Sequence, residues 1–280
     1  MRFTKMHGAG NDFILLENMD LSLREDQLGP LAKRLCARRL SIGADGMMVL
    51  QPSDVADFRM LFFNADGSLG EMCGNGARCI CRYGYEHGYS GETQKIETTA
   101  GIVTGERISE RLYHICLNDP SVIRLDLPVT AAGKEYLCDY LELGNPGLPH
   151  AIVRFDGFDA LPENEQREIG RSLRFAQAFP KGANVTFWHP AEDDRTVAKT
   201  FERGVEDFTY ACGTGCGSLV SALCLHGTVS GNNVSVTMPG GELFVSVTVN
   251  ADGSVTQILL TGPTNIVAKG TVTDEDLSLI

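Results

Sequence analysis

The chain has 280 residues, of which 43% are hydrophobic and 21% charged, and its formal net charge is −12. This is an ordinary globular composition in a chain long enough for one large or two medium domains. The acidic balance argues against non-specific nucleic-acid binding, and no apolar run approaches the roughly 18 residues that a membrane span needs. The N-terminal segment lacks the apolar stretch of a signal peptide, so we expect a soluble, cytoplasmic protein.

Six segments have the apolar composition and length of β-strands. In chain order they are residues 13–16, 46–50, 58–63, 151–153, 185–188 and 243–247. A capping box at Ser22 and Glu25 predicts a helix through about Arg39, and residues 163–178 form its counterpart in the second half. Strands and helices do not alternate strictly, so the pattern favours an α+β protein over a doubly wound parallel sheet.

Nine cysteines are spread along the chain. Their odd number, in a chain long enough to build a core without cross-links, argues against a disulfide framework and favours a reducing compartment. No Cys-x-x-Cys pair occurs, so a zinc ribbon or a thioredoxin-type site has little support, and we predict no metal site.

Two Cys-Gly-x-Gly motifs, which begin at Cys73 and Cys212, each precede a helical pattern. Gly88 ends the first pattern, and Gly227 ends the second, which is almost wholly apolar. Each cysteine is therefore expected at or just before a helix N-terminus. Free N–H groups and the helix dipole at that position favour a thiolate and bind an anion such as a carboxylate.

The two motifs belong to an internal duplication with an offset of 139 positions. The same offset places Gly43-Ala44 on Gly182-Ala183, Asp45 on Asn184 and Phe62 on Phe201. We predict two similar domains that face each other. The first spans residues 1–117 together with a returning C-terminal segment, 263–280, and the second spans residues 118–262.

A pseudo-twofold relation between the domains would set two thiols on opposite sides of one ligand. Inversion of a stereocentre requires this geometry, because one thiolate removes a proton from one face and the other thiol delivers a proton to the opposite face. We therefore predict that Cys73 and Cys212 invert an amino-acid stereocentre without a cofactor. The cysteines at 79, 81, 216 and 224 lie within the helical patterns and are interpreted as packing residues.

The ordered motifs resemble those of the diaminopimelate epimerase family over nearly the whole chain. They are MHGAGNDF at 6–13, FNADGS at 63–68, CGNGARC at 73–79, ERG at 202–204 and ACGTG at 211–215. The resemblance implies a pyridoxal-independent epimerase that interconverts LL- and meso-diaminopimelate on the route to lysine and peptidoglycan. It also implies two pseudo-symmetric α+β domains, each a curved mixed sheet around a central helix, with the active site in the cleft between them and often a homodimeric assembly.

The resemblance further implies two sets of ligand contacts. Substrate-binding positions are Asn11, Asn64, Asn184, Glu202 and Arg203, and contacts to the reacting end come from Gly74, Asn75, Gly213 and Thr214. Diaminopimelate carries an ammonium and a carboxylate group at the end distant from the reacting carbon. Asparagine amides and a Glu–Arg pair can bind these two groups without adding net charge to the site.

Asn145 and an accessory His150 would match the family's Asn-Pro-His element. That element is contiguous in the family, whereas here Gly147-Leu148-Pro149 is inserted before the histidine. The insertion is expected to reshape the loop near the substrate.

Two other functions stay open at this point. The insertion near His150 motivates another cofactor-independent racemase, for instance one that acts on histidine, although Asn64, Asn184 and Arg203 suit a charged amino-acid end. A non-catalytic thiol protein, such as a redox sensor or a metal-binding module, would instead use Cys73 and Cys212 to form a disulfide or to ligate a metal.

Overall fold

The computed structural model describes residues 1–70, 72–191, 195–273 and 275. The chain divides into two compact units: unit 1 comprises Met1–Ile115 and Gly262–Ile280, and unit 2 comprises Cys116–Thr261. The boundaries expected from the sequence lie after residues 117 and 262. Of the expected returning segment 263–280, residues 274 and 276–280 lie outside the described part of the chain.

Strands dominate both units, and each unit has two α-helices within the described ranges. In chain order the elements are β1 (Arg2–Gly8), β2 (Asn11–Glu17), α1 (Glu25–Leu35), β3 (Gly46–Gln51), β4 (Phe58–Asn64), β5 (Leu69–Gly70), α2 (Gly74–Glu86), β6 (Thr93–Thr98), β7 (Gly101–Arg107), β8 (Leu112–Leu117), β9 (Pro120–Ala131), β10 (Lys134–Leu143), β11 (Leu148–Arg154), a short 3-10 helix (Phe158–Ala160), α3 (Glu163–Arg174), β12 (Asn184–Pro190), β13 (Thr196–Phe201), α4 (Gly213–Leu225), β14 (Val234–Met238), β15 (Gly241–Val249), β16 (Val255–Pro263) and β17 (Asn265–Thr271).

The two units repeat one sheet topology. In unit 1 the strands run in the order β17-β1-β2-β3-β4-β6-β7-β8, with the β2–β3 and β4–β6 pairs parallel and the other pairs antiparallel. In unit 2 the order is β9-β10-β11-β12-β13-β14-β15-β16, with the β11–β12 and β13–β14 pairs parallel. The returning strand β17 thus takes the place in unit 1 that β9 has in unit 2. The predicted mixed-sheet α+β class is confirmed.

Helices cover both faces of the β2–β3 region, and this explains its continuous apolar sequence. Ile14 and Leu16 belong to a buried cluster with Leu28 and Leu31 of α1. The opposite face carries Phe13, whose ring lies 3.6 Å from where a Cβ on Gly76 of α2 would stand. All six strands expected from apolar runs are present.

The helices α2 and α4 are the central helices of their units. In α2 every residue from Gly74 to Gly84 is buried, and the helix contacts β1, β2, β3, β4 and β7. The helix α4 contacts β10, β11, β12 and β15 and is buried over most of its 13 residues. A helix enclosed on all sides has no face in water, which accounts for the apolar and small residues of α4. The buried polar residues of α2 are hydrogen-bonded: Arg78 donates to Asn75, and Arg82 donates to the carbonyl oxygen of Thr264.

None of the helices in the described ranges is long and apolar enough to cross a membrane.

The first helix starts later and ends earlier than expected. The predicted capping box at Ser22 and Glu25 is wrong, because α1 begins at Glu25 and the N–H of Arg24 donates to Oε1 of Gln27 at 3.0 Å. The N–H of Ser22 instead donates to Oδ1 of Asp20 at 3.1 Å, within the preceding turn. This local bond competes with the helical cap for the same residue.

The absence of a side chain at Gly46 is required by the packing of β3 against β4. A Cβ at this position would lie 2.6 Å from the Phe62 ring and 2.8 Å from the carbonyl oxygen of Phe63. Because a backbone oxygen cannot move aside, we expect Gly46→Ala to lower the free energy of unfolding by about 1–3 kcal/mol, measured by denaturant unfolding. Gly91→Ala is the matched control, since nothing lies within 4 Å of its added Cβ. Equal unfolding midpoints for the two variants would contradict this packing.

Candidate active site

Cys73 is the N-cap residue of α2, as the sequence predicts, with an extended backbone at φ −128° and ψ 118°. Its half-buried thiol donates to Oδ1 of Asn11 at 3.4 Å. Nδ2 of Asn75 donates to the same oxygen at 3.3 Å. The structure therefore gathers three of the predicted site residues of unit 1 around one amide oxygen.

Arg78 lies directly below this group, three residues beyond Asn75 on α2. Its side chain is fully buried, and NH2 donates to Oδ1 of Asn75 at 2.8 Å. A Cβ at Gly8 would stand 3.0 Å from the carbonyl oxygen of Asn75, so β1 also approaches the start of the helix closely. The sequence analysis quoted Arg78 within a motif but assigned it no role, although its spacing from Asn75 places both on one helix face.

Asn64 ends β4 and forms a tight turn with Ser68. Nδ2 of Asn64 donates to Oγ of Ser68 at 2.9 Å, and the N–H of Gly67 donates to the Asn64 carbonyl oxygen at 3.0 Å. The side chain is exposed. These contacts explain Asn64 as a turn residue, and its substrate-binding role stays a prediction.

Cys212 is the N-cap residue of α4, again as predicted, and is 6% exposed. Its Sγ accepts the N–H of Gly215 at 3.4 Å and lies 3.6 Å from Oγ1 of Thr214. Burial and the negative charge of Glu202 raise the pKa of the Cys212 thiol well above its ordinary value, and the two hydrogen bonds do not offset them. The expectation that the helix N-terminus favours a thiolate is wrong for Cys212, because desolvation outweighs the helix end.

The glycines beside Cys212 allow a close approach of neighbouring groups. A Cβ at Gly213 would lie 2.5 Å from Leu260, and a Cβ at Gly215 would lie 2.9 Å from Oγ1 of Thr186. Thr186 and Thr200 share a buried hydrogen bond at 2.9 Å just below the helix start. This hydroxyl pair was not anticipated, because threonines in a strand pattern carry no signal that separates a polar contact from β-propensity.

Asn184, Glu202 and Arg203 form a connected group in unit 2. Oδ1 of the buried Asn184 accepts the N–H of Arg203 at 2.8 Å, and Oε1 of Glu202 accepts the hydroxyl of Thr209 at 2.6 Å. The exposed Arg203 donates from NH1 to the carbonyl oxygen of Lys181 at 3.3 Å. The charge of Glu202 acts on the Cys212 thiol, so Glu202 lies near the predicted catalytic residue.

The loop that carries Glu202 and Arg203 is anchored by Phe208. Its ring lies 5.4 Å from that of Phe201 and 5.8 Å from that of Phe158, measured between centroids. Tyr210, the other bulky residue of this segment, is 64% exposed. The aromatic core of unit 2 thus holds the loop at Phe208, six residues after Glu202.

The insertion separates the two residues that the resemblance assigned to one element. Asn145 is exposed in the loop between β10 and β11, whereas His150 is fully buried on β11 in register with Asn184. Burial, helped by the charge of Arg203, lowers the pKa of His150 to about 3, so its ring is neutral. Within the described ranges neither ring nitrogen has a hydrogen-bond partner.

One group of possible metal ligands occurs elsewhere in the described residues of unit 2, formed by Asp126, Asp139 and His226. Oδ1 of Asp139 accepts from Nε2 of His226 and from the N–H of Asp126, both at 3.0 Å. These hydrogen bonds account for the grouping. His226 is the C-cap of α4, at the opposite end of the helix from Cys212.

The hydroxyl of Thr214 acts to lower the pKa of Cys212. Thr214→Val removes this hydroxyl and keeps the shape of the side chain, so we expect the pKa of Cys212 to rise further. Alkylation of Cys212 by iodoacetamide at pH 8, quantified by mass spectrometry of its peptide, should slow about threefold to tenfold, as expected for the loss of one hydrogen bond. Thr228→Val, at an exposed position just after α4, is the control. Equal rates for Thr214→Val and wild type would show that the hydroxyl does not act on the thiol.

Several solved structures share this fold. A phenazine biosynthesis protein of the PhzF family from Bacillus anthracis superposes with a TM-score of 0.75 at 16% identity, over 96% of this chain and 98% of that one. A hydroxyproline epimerase from Agrobacterium vitis superposes with a TM-score of 0.70 at 18% identity, over 97% of this chain and 90% of that one. At these identities the likeness establishes the fold alone.

Sequence comparison identifies the family. The family profile described as Diaminopimelate epimerase matches residues 3–112 and 143–267. The diaminopimelate epimerase of Archaeoglobus fulgidus is 36% identical over 257 residues, which cover 88% of this chain and 89% of that protein. The diaminopimelate epimerase of Aquifex aeolicus is 33% identical over 287 residues, which cover 99% of each chain. With both cysteine motifs inside the matched ranges, the chain belongs to the diaminopimelate epimerase family.

Proposed function

We propose that this protein is a diaminopimelate epimerase that interconverts LL- and meso-diaminopimelate in lysine and peptidoglycan biosynthesis. The observation that carries the proposal is the equivalent placement of two thiols. Cys73 and Cys212 are the N-cap residues of the two central helices of a duplicated fold. Membership of an epimerase family removes the support for a non-catalytic thiol protein.

The proposed reaction is a two-base proton transfer. The thiolate of one cysteine takes the α-proton from one face of the substrate and becomes a thiol. The thiol of the other cysteine gives its proton to the opposite face and becomes a thiolate, so no proton is gained or lost overall. The free N–H groups at the starts of α2 and α4 are suited to stabilise the negative charge that develops on the α-carboxylate.

The burial of Cys212 agrees with a role as the proton donor in this scheme. The raised pKa keeps its thiol protonated in the unliganded protein, which is the state that a proton donor needs. The reverse direction requires a thiolate, and a substrate ammonium group beside the thiol would favour that form. Two thiols supply both proton-transfer groups, so the proposed reaction uses neither pyridoxal phosphate nor a metal.

Recognition of the distal end of diaminopimelate is assigned to Asn64, Asn184, Glu202 and Arg203. A distal zwitterion offers one carboxylate and one ammonium group, which a guanidinium and a carboxylate can bind. Arg203 is exposed and Glu202 half-buried, and both stand on the loop anchored by Phe208. Gly74, Asn75, Gly213 and Thr214 are assigned to the reacting end.

A racemase of another amino acid on the same scaffold is the second candidate. The observation in its favour is the separation of Asn145 from His150 by the insertion, which removes a contiguous Asn-Pro-His element. Deuterium exchange at the α-carbon distinguishes the candidates when LL-diaminopimelate, meso-diaminopimelate and L-histidine are tested in parallel. Exchange in histidine alone would replace the diaminopimelate assignment.

We also propose a cytoplasmic location, because the mechanism needs two reduced thiols in a protein with nine free cysteines. The homodimer that the family resemblance implies stays a prediction.

Removal of either proposed proton-transfer group should abolish epimerisation. We expect Cys73→Ala and Cys212→Ala to lower the rate of diaminopimelate epimerisation about 10³-fold or more, as is typical of a lost general acid or base. The measurement is deuterium incorporation in D₂O with reduced protein and no added cofactor. Cys224→Ala, on α4 but away from its N-terminus, is the control and should keep its activity. Full activity of either of the first two variants would refute the two-base scheme.

Arg203 is expected to contribute to binding of the substrate's distal carboxylate more than to the stability of the fold. Because its guanidinium is exposed, Arg203→Ala is expected to change the free energy of unfolding by less than about 0.5 kcal/mol. Loss of a charge-assisted contact to the substrate should raise KM about tenfold or more. Arg154→Ala is the control, since Arg154 is an exposed residue that pairs with Asp156 on the surface of unit 2. An unchanged KM in Arg203→Ala would move distal-carboxylate recognition elsewhere.

A further inference from the structure

We infer that Asp45, held in place by Arg38, is a positioning residue that sets the orientation of the Asn11 amide and so presents a carbonyl oxygen to the Cys73 thiol. The inference rests on the proposed role of Cys73 in proton transfer. Asp45 lies just before β3, outside the motifs assigned to catalysis or substrate binding. In the duplicated sequence it occupies the position of Asn184.

The first step is the chemistry of the Asp45 carboxylate, which when ionised can only accept hydrogen bonds. Oδ2 of Asp45 lies 2.8 Å from the side-chain amide of Asn11. The end of the Asn11 amide that faces Asp45 must therefore be its NH2 group. Its oxygen consequently points the other way, where Sγ of Cys73 lies at 3.4 Å.

A second anchor enforces the same orientation from the opposite side. The guanidinium of Arg78 can only donate, and it donates to Oδ1 of Asn75 at 2.8 Å. Nδ2 of Asn75 therefore faces Asn11 and donates to Oδ1 of Asn11 at 3.3 Å. Reversal of the Asn11 amide would oppose two NH2 groups and would break the hydrogen bond to Asp45.

Asp45 is itself held by several groups. NH2 of Arg38 lies 2.8 Å from Oδ1 of Asp45 and 2.6 Å from Oδ1 of Asp12, so it bridges the two carboxylates. The N–H of Asp12 donates to Asp45, and the N–H of Asp45 donates to Asp12, at 3.1 and 3.0 Å. Lys5 pairs with Asp12 at 2.8 Å. Although burial alone would raise the pKa of Asp12, the hydrogen bonds from Lys5 and Arg38 hold it below its ordinary value.

The orientation of Asn11 has a chemical consequence at Cys73. A carbonyl oxygen accepts from S–H and therefore favours the protonated thiol, whereas an NH2 group at the same place would favour the thiolate. In unit 2 Sγ of Cys212 instead accepts the N–H of Gly215 and lies 3.6 Å from Oγ1 of Thr214. Asp45 thus acts on Cys73 through a hydrogen-bond acceptor, whereas burial and the charge of Glu202 raise the pKa of the Cys212 thiol.

The test compares Asp45→Ala with Asp45→Asn. Asp45→Ala removes the acceptor and frees the Asn11 amide, so the thiol of Cys73 loses its fixed oxygen. Alkylation of Cys73 by iodoacetamide at pH 7 should become about threefold to tenfold faster, with its pH midpoint shifted to lower pH. Asp45→Asn keeps an oxygen that can accept from Asn11 and should lie between Asp45→Ala and wild type.

Catalysis provides the second readout. Loss of the orientation should lower kcat for diaminopimelate about tenfold in Asp45→Ala, with a smaller change in KM and with partial recovery in Asp45→Asn. Asp26→Ala is the control, because Asp26 is an exposed carboxylate of unit 1 that pairs with Arg24 at 3.1 Å.

Burial lowers the pKa of His7, which also feels the charge of Asp12. Both Asp45 variants remove a negative charge, which by itself favours a thiolate, so the effect of orientation is the difference between Asp45→Ala and Asp45→Asn. The charged residues of the network are Lys5, Asp12, Arg38, Asp45 and Arg78. Burial raises the pKa of the nearby Cys79 to about 12, so its thiol stays protonated over the pH range used.

An alkylation profile of folded Asp45→Ala that superimposes on that of wild type would overturn the inference. The unfolding midpoint shows whether each variant is folded. If Asp45→Ala does not fold, the comparison is made with Asp45→Asn, which preserves the shape of the side chain. A wild-type protein that epimerises no substrate would refute the proposed function. The alkylation comparison would still decide the role of Asp45, since it needs no turnover.

Discussion

The enclosure of α2 and α4 by their own sheets is the constraint on which the rest of the structure depends. A helix buried on every side has no face in water, so most of its residues are apolar or small, and a buried polar residue such as Arg78 is hydrogen-bonded. Neighbouring strands approach the backbone of such a helix closely. Glycines at the helix starts follow from this, since a Cβ at Gly76 or Gly215 would lie about 2.9 Å from a neighbouring side chain. The first N–H groups of such a helix lack intrahelical partners, and this is why an anion is proposed to bind beside each N-cap cysteine.

The duplication supplies two equivalent positions, and local chemistry makes them unequal. Cys73 is half-buried and donates to an amide oxygen, whereas Cys212 is almost fully buried and accepts from a backbone N–H. A two-base epimerase meets opposite demands at its two thiols in each direction of the reaction. Divergence around a repeated backbone adjusts each thiol separately. Asn11, at the start of β2, accepts from Cys73, whereas Thr214 and Gly215 of α4 and the charge of Glu202 act on Cys212.

Burial also determines the position of the loop that carries Glu202 and Arg203. Phe208 packs into the aromatic core and holds the loop that bears Glu202 and Arg203, so the half-buried Glu202 stands near a buried thiol. Glu202 then acts on Cys212 through its charge, which adds to the effect of desolvation. Residues Leu148 and Pro149 of the insertion belong to β11, on which His150 lies in register with Asn184.

The sequence by itself determined the features that depend on local pattern and on repetition. Apolar runs located six strands, glycine stops bounded α2 and α4, and the shared offset indicated two similar units with a cysteine at each helix start. Tertiary structure decided what desolvation and long-range pairing control. The start of α1 at Glu25 depended on the preceding turn, in which the N–H of Ser22 donates to Asp20 and Ser22 does not cap the helix. The protonation of Cys212 and His150 depended on burial, and the orientation of Asn11 depended on partners 34 and 64 residues away. Residue types along a chain specify propensity and periodicity, whereas the energy of a charge or a hydrogen bond depends on which distant groups surround it once the chain has folded.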